Sequence, residues 1–175
     1  MRVMDKTYRQ YVVALVATLA CAGAPGARAQ TAAPTDPPTL LKGESVQPFD
    51  AEGVDGTLRH VTFKSNTVVL FFLSSCPVCH RMIPLWNSAY ESRPKGLEVV
   101  AVMLDQEVPG FFETTPMSFP VLRAPGRTAA ERRAFSERFK IQKVPVTLRV
   151  SAGGKVDDVG LGPLDVIRVG QFFRP

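Results

Sequence analysis

The sequence is short of the residues that build most catalytic and metal sites: 175 residues carry three cysteines, two histidines, one tryptophan and three tyrosines. His60 and His80 are too few for a histidine-built metal centre. No Ser/His/Asp arrangement, glycine-rich phosphate loop or paired-carboxylate site can be made out, which removes the common hydrolase and nucleotide-binding classes. No basic patch interleaved with aromatics exists, so nucleic-acid binding has no support. Nor does the apolar stretch from Tyr11 to Ala24 reach far enough to span a bilayer. As a helix it rises about 21 Å, against a hydrocarbon core of roughly 30 Å. No internal repeat is present.

What remains is enough for a real core. Hydrophobic residues make up 45% of the chain, which excludes wholesale disorder. Residues 1–29 read as a secretory signal peptide: Arg2, Lys6 and Arg9 precede the apolar stretch, and Ala27-Arg28-Ala29 supplies a small-residue cleavage site. Cys21 reads as a small apolar residue of that leader, because Thr18-Leu19-Ala20 is a poor lipoprotein signal. Cleavage removes four positive charges and one negative, so the net charge falls from +5 to +2. Residues 30–39, with Pro34, Pro37 and Pro38, read as a flexible linker to a domain over residues 40–175. The expected location is therefore periplasmic or otherwise extracytoplasmic.

Within that domain, Val46–Asp50 and Thr57–Phe63 read as two strands around a Gly53–Gly56 turn. Thr67–Leu73 is a continuous apolar run that fits a central strand buried on both faces. A helix from Val78 to about Ser92 follows, with Met82, Leu85, Trp86 and Ala89 at helical spacing and a kink expected at Pro84. Leu97–Leu104 is a second buried strand, Asp105–Ser118 a loop, and Phe119–Arg123 a short strand. Thr128 and Glu131 have capping-box spacing for a helix to Phe139. Val146–Ser151 and Lys155–Leu161 form a hairpin, with Asp157-Asp158 as a solvated strand end, and Pro163–Phe173 is a terminal helix. Arg127, Arg132, Arg133, Arg138 and Lys140 read as a solvated helix face. The whole is an α/β protein: a mixed central sheet, helices on both faces and an added N-terminal β-hairpin.

The chemistry concentrates at Cys76-Pro77-Val78-Cys79. After leader removal these are the only cysteines. A disulfide between them closes too short a loop to constrain the unfolded chain much, which argues for chemistry over stapling. Disulfide exchange needs a thiolate, and a helix N-terminus favours an anion through its unpaired N–H groups. Pro77 suits the first helical position. Cys76 is thus the attacking thiol and Cys79 the deeper, resolving one. Pro77, Val78 and His80 are the residues placed to tune the pair. Further on, Lys143-Val144-Pro145-Val146-Thr147 joins a helix to a strand, with Pro145 where a missing N–H is tolerated.

With FFLSSCPVC, Pro84, KVPVT and the GGKV hairpin, residues 40–175 resemble the thioredoxin superfamily, most closely its exported TlpA-like, redoxin-type branch. A weaker similarity is to methylamine-utilisation accessory proteins. The resemblance implies a three-layer thioredoxin-like fold and thiol-disulfide oxidoreductase activity on protein substrates, with reductase favoured over oxidase or isomerase. It implies that Pro145 is cis and faces the cysteines, and that the Val144 backbone pairs with the substrate chain. It implies a monomer working with a membrane-bound redox partner, with no dissociable cofactor and no metal. Three departures stand out: Ser75 replaces the usual Trp before the first cysteine, and Leu70 and Met82 occupy the two places where relatives carry a buried acid.

Other readings of the same residues belong to different classes. Cys76-Pro77-Val78-Cys79-His80 satisfies the c-type haem attachment pattern, with Met103 or Met117 as the opposite ligand. A copper or zinc carrier would use both cysteines and a histidine. A redox-inactive binding module would present Trp86 or Phe111-Phe112, although Trp86 reads as core and the phenylalanines as packing for a loop.

Overall fold

The computed structural model describes residues 40–174; the leader and linker expected over residues 1–39 lie outside them. The chain runs β1 (Phe49–Gly53), β2 (Leu58–Val61), β3 (Thr67–Phe72), α1 (Pro77–Glu91), β4 (Glu98–Met103), α2 (Phe111–Thr114), β5 (Val121–Arg123), α3 (Ala129–Arg138), β6 (Val146–Val150), β7 (Val156–Leu161) and α4 (Val166–Phe172). One seven-stranded sheet has the order β2-β1-β5-β4-β3-β6-β7. β3, β4 and β5 are parallel neighbours, while β1, β2, β6 and β7 pair antiparallel.

Every residue of β3 is buried, because helices cover both sides of it. Its alternation divides the core. Val69 and Phe71 face the layer of Phe135 from α3 and Phe139 at its C-cap. Val68, Leu70 and Phe72 face Met82, Ile83 and Trp86 of α1 and Val169 and Phe172 of α4. Burying side chains such as Phe71 and Phe72 contributes about 2–3 kcal/mol each. Trp86 has no exposed surface, so it is core. Phe111 is buried and stacks edge-on to Phe112, holding the loop against the sheet.

Several local readings change. The first strand begins at Phe49 rather than Val46, because Val46 is taken by the β6–β7 turn: its N–H donates to the Gly154 carbonyl at 2.7 Å. Gly154 has φ +90°, and a Cβ there would meet the Val46 carbonyl oxygen at 2.5 Å, so this close approach requires glycine. The Asp105–Ser118 loop contains the one-turn α2, capped by Gly110 and closed by Thr114 Oγ1 donating to the Gly110 carbonyl. The last helix starts at Val166 because Asp165 caps it by accepting from the Arg168 N–H. Asp158 is not a solvated strand end: both its carboxylate oxygens accept from Arg168, at 2.7 Å each, tying edge strand β7 to α4. The Thr128–Glu131 capping box is complete. α1 continues through Pro84. Among the described residues no helix is long and apolar enough to cross a membrane.

Candidate active site

The site lies where β3 hands over to α1, at the carboxyl end of the parallel strands, the usual place for sites in such sheets. Leu73, Ser74 and Ser75 make the turn, and the Cys76 N–H donates to the Leu73 carbonyl at 3.2 Å. Cys76 is the N-cap of α1, with extended backbone (φ −91°, ψ 112°). Its sulfur accepts from the Cys79 N–H at 3.3 Å, the bond a capping oxygen ordinarily makes. Pro77 follows at N1, where no N–H is missed. Pro77 is exposed and Val78 half-buried.

The two sulfurs have opposite surroundings. Cys76 is partly exposed, whereas Cys79 has no exposed surface. Cys79 sits in the apolar cluster with Leu70, Met82 and Trp86. Burial in that cluster pushes its thiol up to about 12, helped by the Cys76 side chain and by the charge of Asp105. Cys79 is thus a protonated, shielded thiol at neutral pH, and Cys76 is the sulfur a macromolecule can reach.

Asp105, just past the end of β4, is a site residue that sequence reasoning missed. Its carboxylate accepts four hydrogen bonds from the turn before Cys76: the Ser74 and Ser75 N–H groups at 2.8 and 3.1 Å, and their hydroxyls at 3.0 and 2.9 Å. The buried Ser74 hydroxyl also accepts from the Val108 N–H at 2.9 Å. Ser75, standing where a tryptophan is usual, is therefore part of a clamp. The available signal was an acid at the carboxyl end of a buried strand; its partners, 30 and 31 residues upstream, were not. His80, in the first turn of α1, has Nε2 2.7 Å from the Ser74 carbonyl. A carbonyl only accepts, so His80 donates there and its Nε2 carries a proton. The ring packs on Phe111, centroids 5.3 Å apart.

Opposite the turn, the Val144–Pro145 peptide is cis. Pro145 is buried, and its carbonyl accepts from the Gly162 N–H at 2.8 Å. Val144 packs against the same cluster as Cys76. Among the described residues its backbone makes no hydrogen bond, leaving an open N–H and C=O beside the dithiol.

The rival cofactors fit this geometry poorly. Thioether attachment of haem needs both sulfurs at one haem edge and a free His80; here Cys79 is enclosed and His80 Nε2 is committed to Ser74. His60 lies on β2, at the far edge of the sheet, bonded to Asp50 at 2.7 Å. It cannot join the cysteines in a metal site. Among the described residues no group of three metal-binding side chains assembles.

A dithiol at a strand-to-helix junction, with a cis-proline opening the neighbouring strand of a mixed sheet, defines the class: a thioredoxin fold of the thiol-disulfide oxidoreductase type. More particularly, residues 65–156 match the Thioredoxin-like family, and the chain belongs to that family. It is similar to a Chlorobium tepidum structure described as a thiol:disulfide interchange protein DsbE, with 25% identity and TM-score 0.61 over 77% of this chain and 96% of that one. The thioredoxin domain of a Bacteroides vulgatus thiol-disulfide oxidoreductase is 17% identical, with TM-score 0.65 over 77% and 99% of the two chains. A secreted Mycobacterium tuberculosis disulfide oxidoreductase is 14% identical, with TM-score 0.58 over 71% and 93%. The sequence matches no curated protein.

Proposed function

We propose that this protein exchanges disulfides with extracytoplasmic protein substrates through Cys76 and Cys79, acting as a reductase. The observation that carries the proposal is the split environment of the pair: one reachable sulfur at a helix N-terminus and one shielded thiol three residues on. The Cys76 thiolate attacks a substrate disulfide, forming a mixed disulfide and expelling one substrate thiolate, which takes up a proton. Cys79 then loses its proton and attacks the Cys76 sulfur. That step forms the Cys76–Cys79 disulfide and frees the second substrate sulfur as a thiol. Two electrons pass to the substrate, and a membrane-bound dithiol partner returns them. The open Val144 N–H and C=O pair with the extended substrate backbone, as in edge-strand recognition. The protein works as a monomer and needs no dissociable cofactor.

Export rests on the leader pattern of residues 1–29, and residues 30–39 form a flexible linker that precedes the domain. The reductase assignment is tested by equilibrating the mature protein in glutathione redox buffers. Potentials of such proteins run from about −270 mV to about −120 mV. A value near the reducing end supports the reductase role, and one near the oxidising end replaces it with oxidase. Substrate exchange itself is tested by trapping: Cys79→Ser accumulates a mixed disulfide, and Cys76→Ser does not.

A further inference from the structure

A groove of about 490 Å³ opens at the turn that precedes the dithiol, between the amino-terminal part of α3 and the loop that carries Pro145; neither cysteine lines it. Its apolar lining includes Leu73, whose carbonyl holds the Cys76 N–H, and Val144, with Leu104 and Ile141 beside them. Its charged lining is Arg132, Arg133, Lys143 and Asp105. Three of the four are cationic, and the single carboxylate is occupied by its four bonds to Ser74 and Ser75. Arg132 donates to the Gly126 carbonyl at 3.1 Å. Arg133 and Lys143 are exposed and join no ion pair among the described residues. The basic face of α3 is thus not uniformly solvated. Arg138 bonds the Pro48 carbonyl and Lys140 pairs with Glu44, away from the groove, while Arg132 and Arg133 turn into it.

From this we infer that the groove selects substrates by charge: it receives the segment flanking the reactive cysteine of a protein disulfide and favours an acidic residue there. The inference rests on the exchange reaction proposed above and adds the substrate's chemistry to it. A chain joined to Cys76 and running past the open Val144 backbone carries its flanking residues over Leu73 and Val144. Their side chains then meet the apolar floor, and an Asp or Glu among them meets Arg133 and Lys143. Attraction of this kind acts mainly on encounter rate and partner choice.

The test uses the reduced mature protein and three synthetic peptide disulfides, identical except that the residues flanking the cysteine are Glu, Gln or Lys. The read-out is the second-order rate of peptide thiol release. The Glu peptide should react roughly tenfold faster than the Lys peptide at low ionic strength, with the ratio shrinking as salt screens the groove. The doubly charge-reversed protein, Arg133→Glu with Lys143→Glu, should invert the order of the Glu and Lys peptides. Both side chains are exposed, so the fold is spared, and the reversal is a readout that general damage would not produce. Equal rates for the three peptides, or an order unchanged in the double variant, would overturn the inference while leaving disulfide exchange standing. Failure of all three peptides to react would defeat the exchange reading itself.

Discussion

On one side of the dithiol, Cys79 is enclosed by Leu70, Met82 and Trp86, and its backbone N–H donates to the Cys76 sulfur. On the other, Cys76 follows a turn held by Asp105, Ser74, Ser75 and His80, next to a groove lined with cations. Two residues, Pro77 and Val78, separate a dry thiol from a wet one. The contrast teaches how identical side chains take different roles: burial keeps the inner sulfur neutral, and a helix end with a rigid entry turn presents the outer one. It also locates the difficult step. In the exchange proposed above, Cys79 must lose a proton in surroundings that oppose its anion, and Leu70 and Met82 offer no base.

Substitutions at the cysteines break the contrast most severely. Cys76→Ser should reduce peptide disulfide reduction to the uncatalysed background, whereas Cys79→Ser should still attack and stall as a covalent adduct visible by non-reducing electrophoresis. Equal behaviour of the two variants would remove the distinction.

Placing an acid on the dry side comes next. Met82→Glu puts a carboxyl among apolar neighbours, at a cost of about 3 kcal/mol in unfolding free energy. It should also quicken the second step, by giving the Cys79 proton an acceptor. Denaturant unfolding measures the first effect, and single-turnover decay of the mixed disulfide the second.

Asp105→Asn acts from the wet side. The amide cannot accept from all four Ser74 and Ser75 donors, so stability should fall by about 1–3 kcal/mol. Removing the charge also removes one of the causes that raise the Cys79 thiol. That thiol should therefore titrate at lower pH in the variant, as followed by thiolate absorbance.

The pH dependence of stability is a subtler sign of the same asymmetry. An ordinary Cys79 thiol would ionise near 9.0, and in the folded protein it does so at about 12. Below pH 9 both folded and unfolded chains hold the proton, so the contribution is fully present there. Between 9 and 12 the unfolded chain releases it first, so stability is lost with rising pH. Reduced protein should show this loss in unfolding experiments, and the oxidised protein, which has no Cys79 thiol, should lack that component. The smallest effect belongs to His80→Ala, which frees the Ser74 carbonyl and should cost about 1 kcal/mol.

Local signals carried much of this architecture. The unbroken apolar run Thr67–Leu73 fitted a doubly covered strand, and residues 67–72 of it are β3. Thr128 and Glu131 announced the start of α3 by spacing alone, and C-x-x-C after a buried strand located the site. What the sequence hid depends on residues far apart in the chain. The four bonds to Asp105 span 30 and 31 residues. Val46 leaves its expected strand for a carbonyl on Gly154, and Asp158 finds Arg168 on the next element. The groove escaped notice because α3's arginines, read along the helix, gave no hint that two of them face the Pro145 loop.

The most direct test of the account is chemical modification of the reduced mature protein. Brief treatment with iodoacetamide at neutral pH, followed by peptide mapping, should find Cys76 alkylated and Cys79 untouched until the protein is unfolded. Modification of Cys79 at a rate equal to or above that of Cys76 in the folded protein would contradict it.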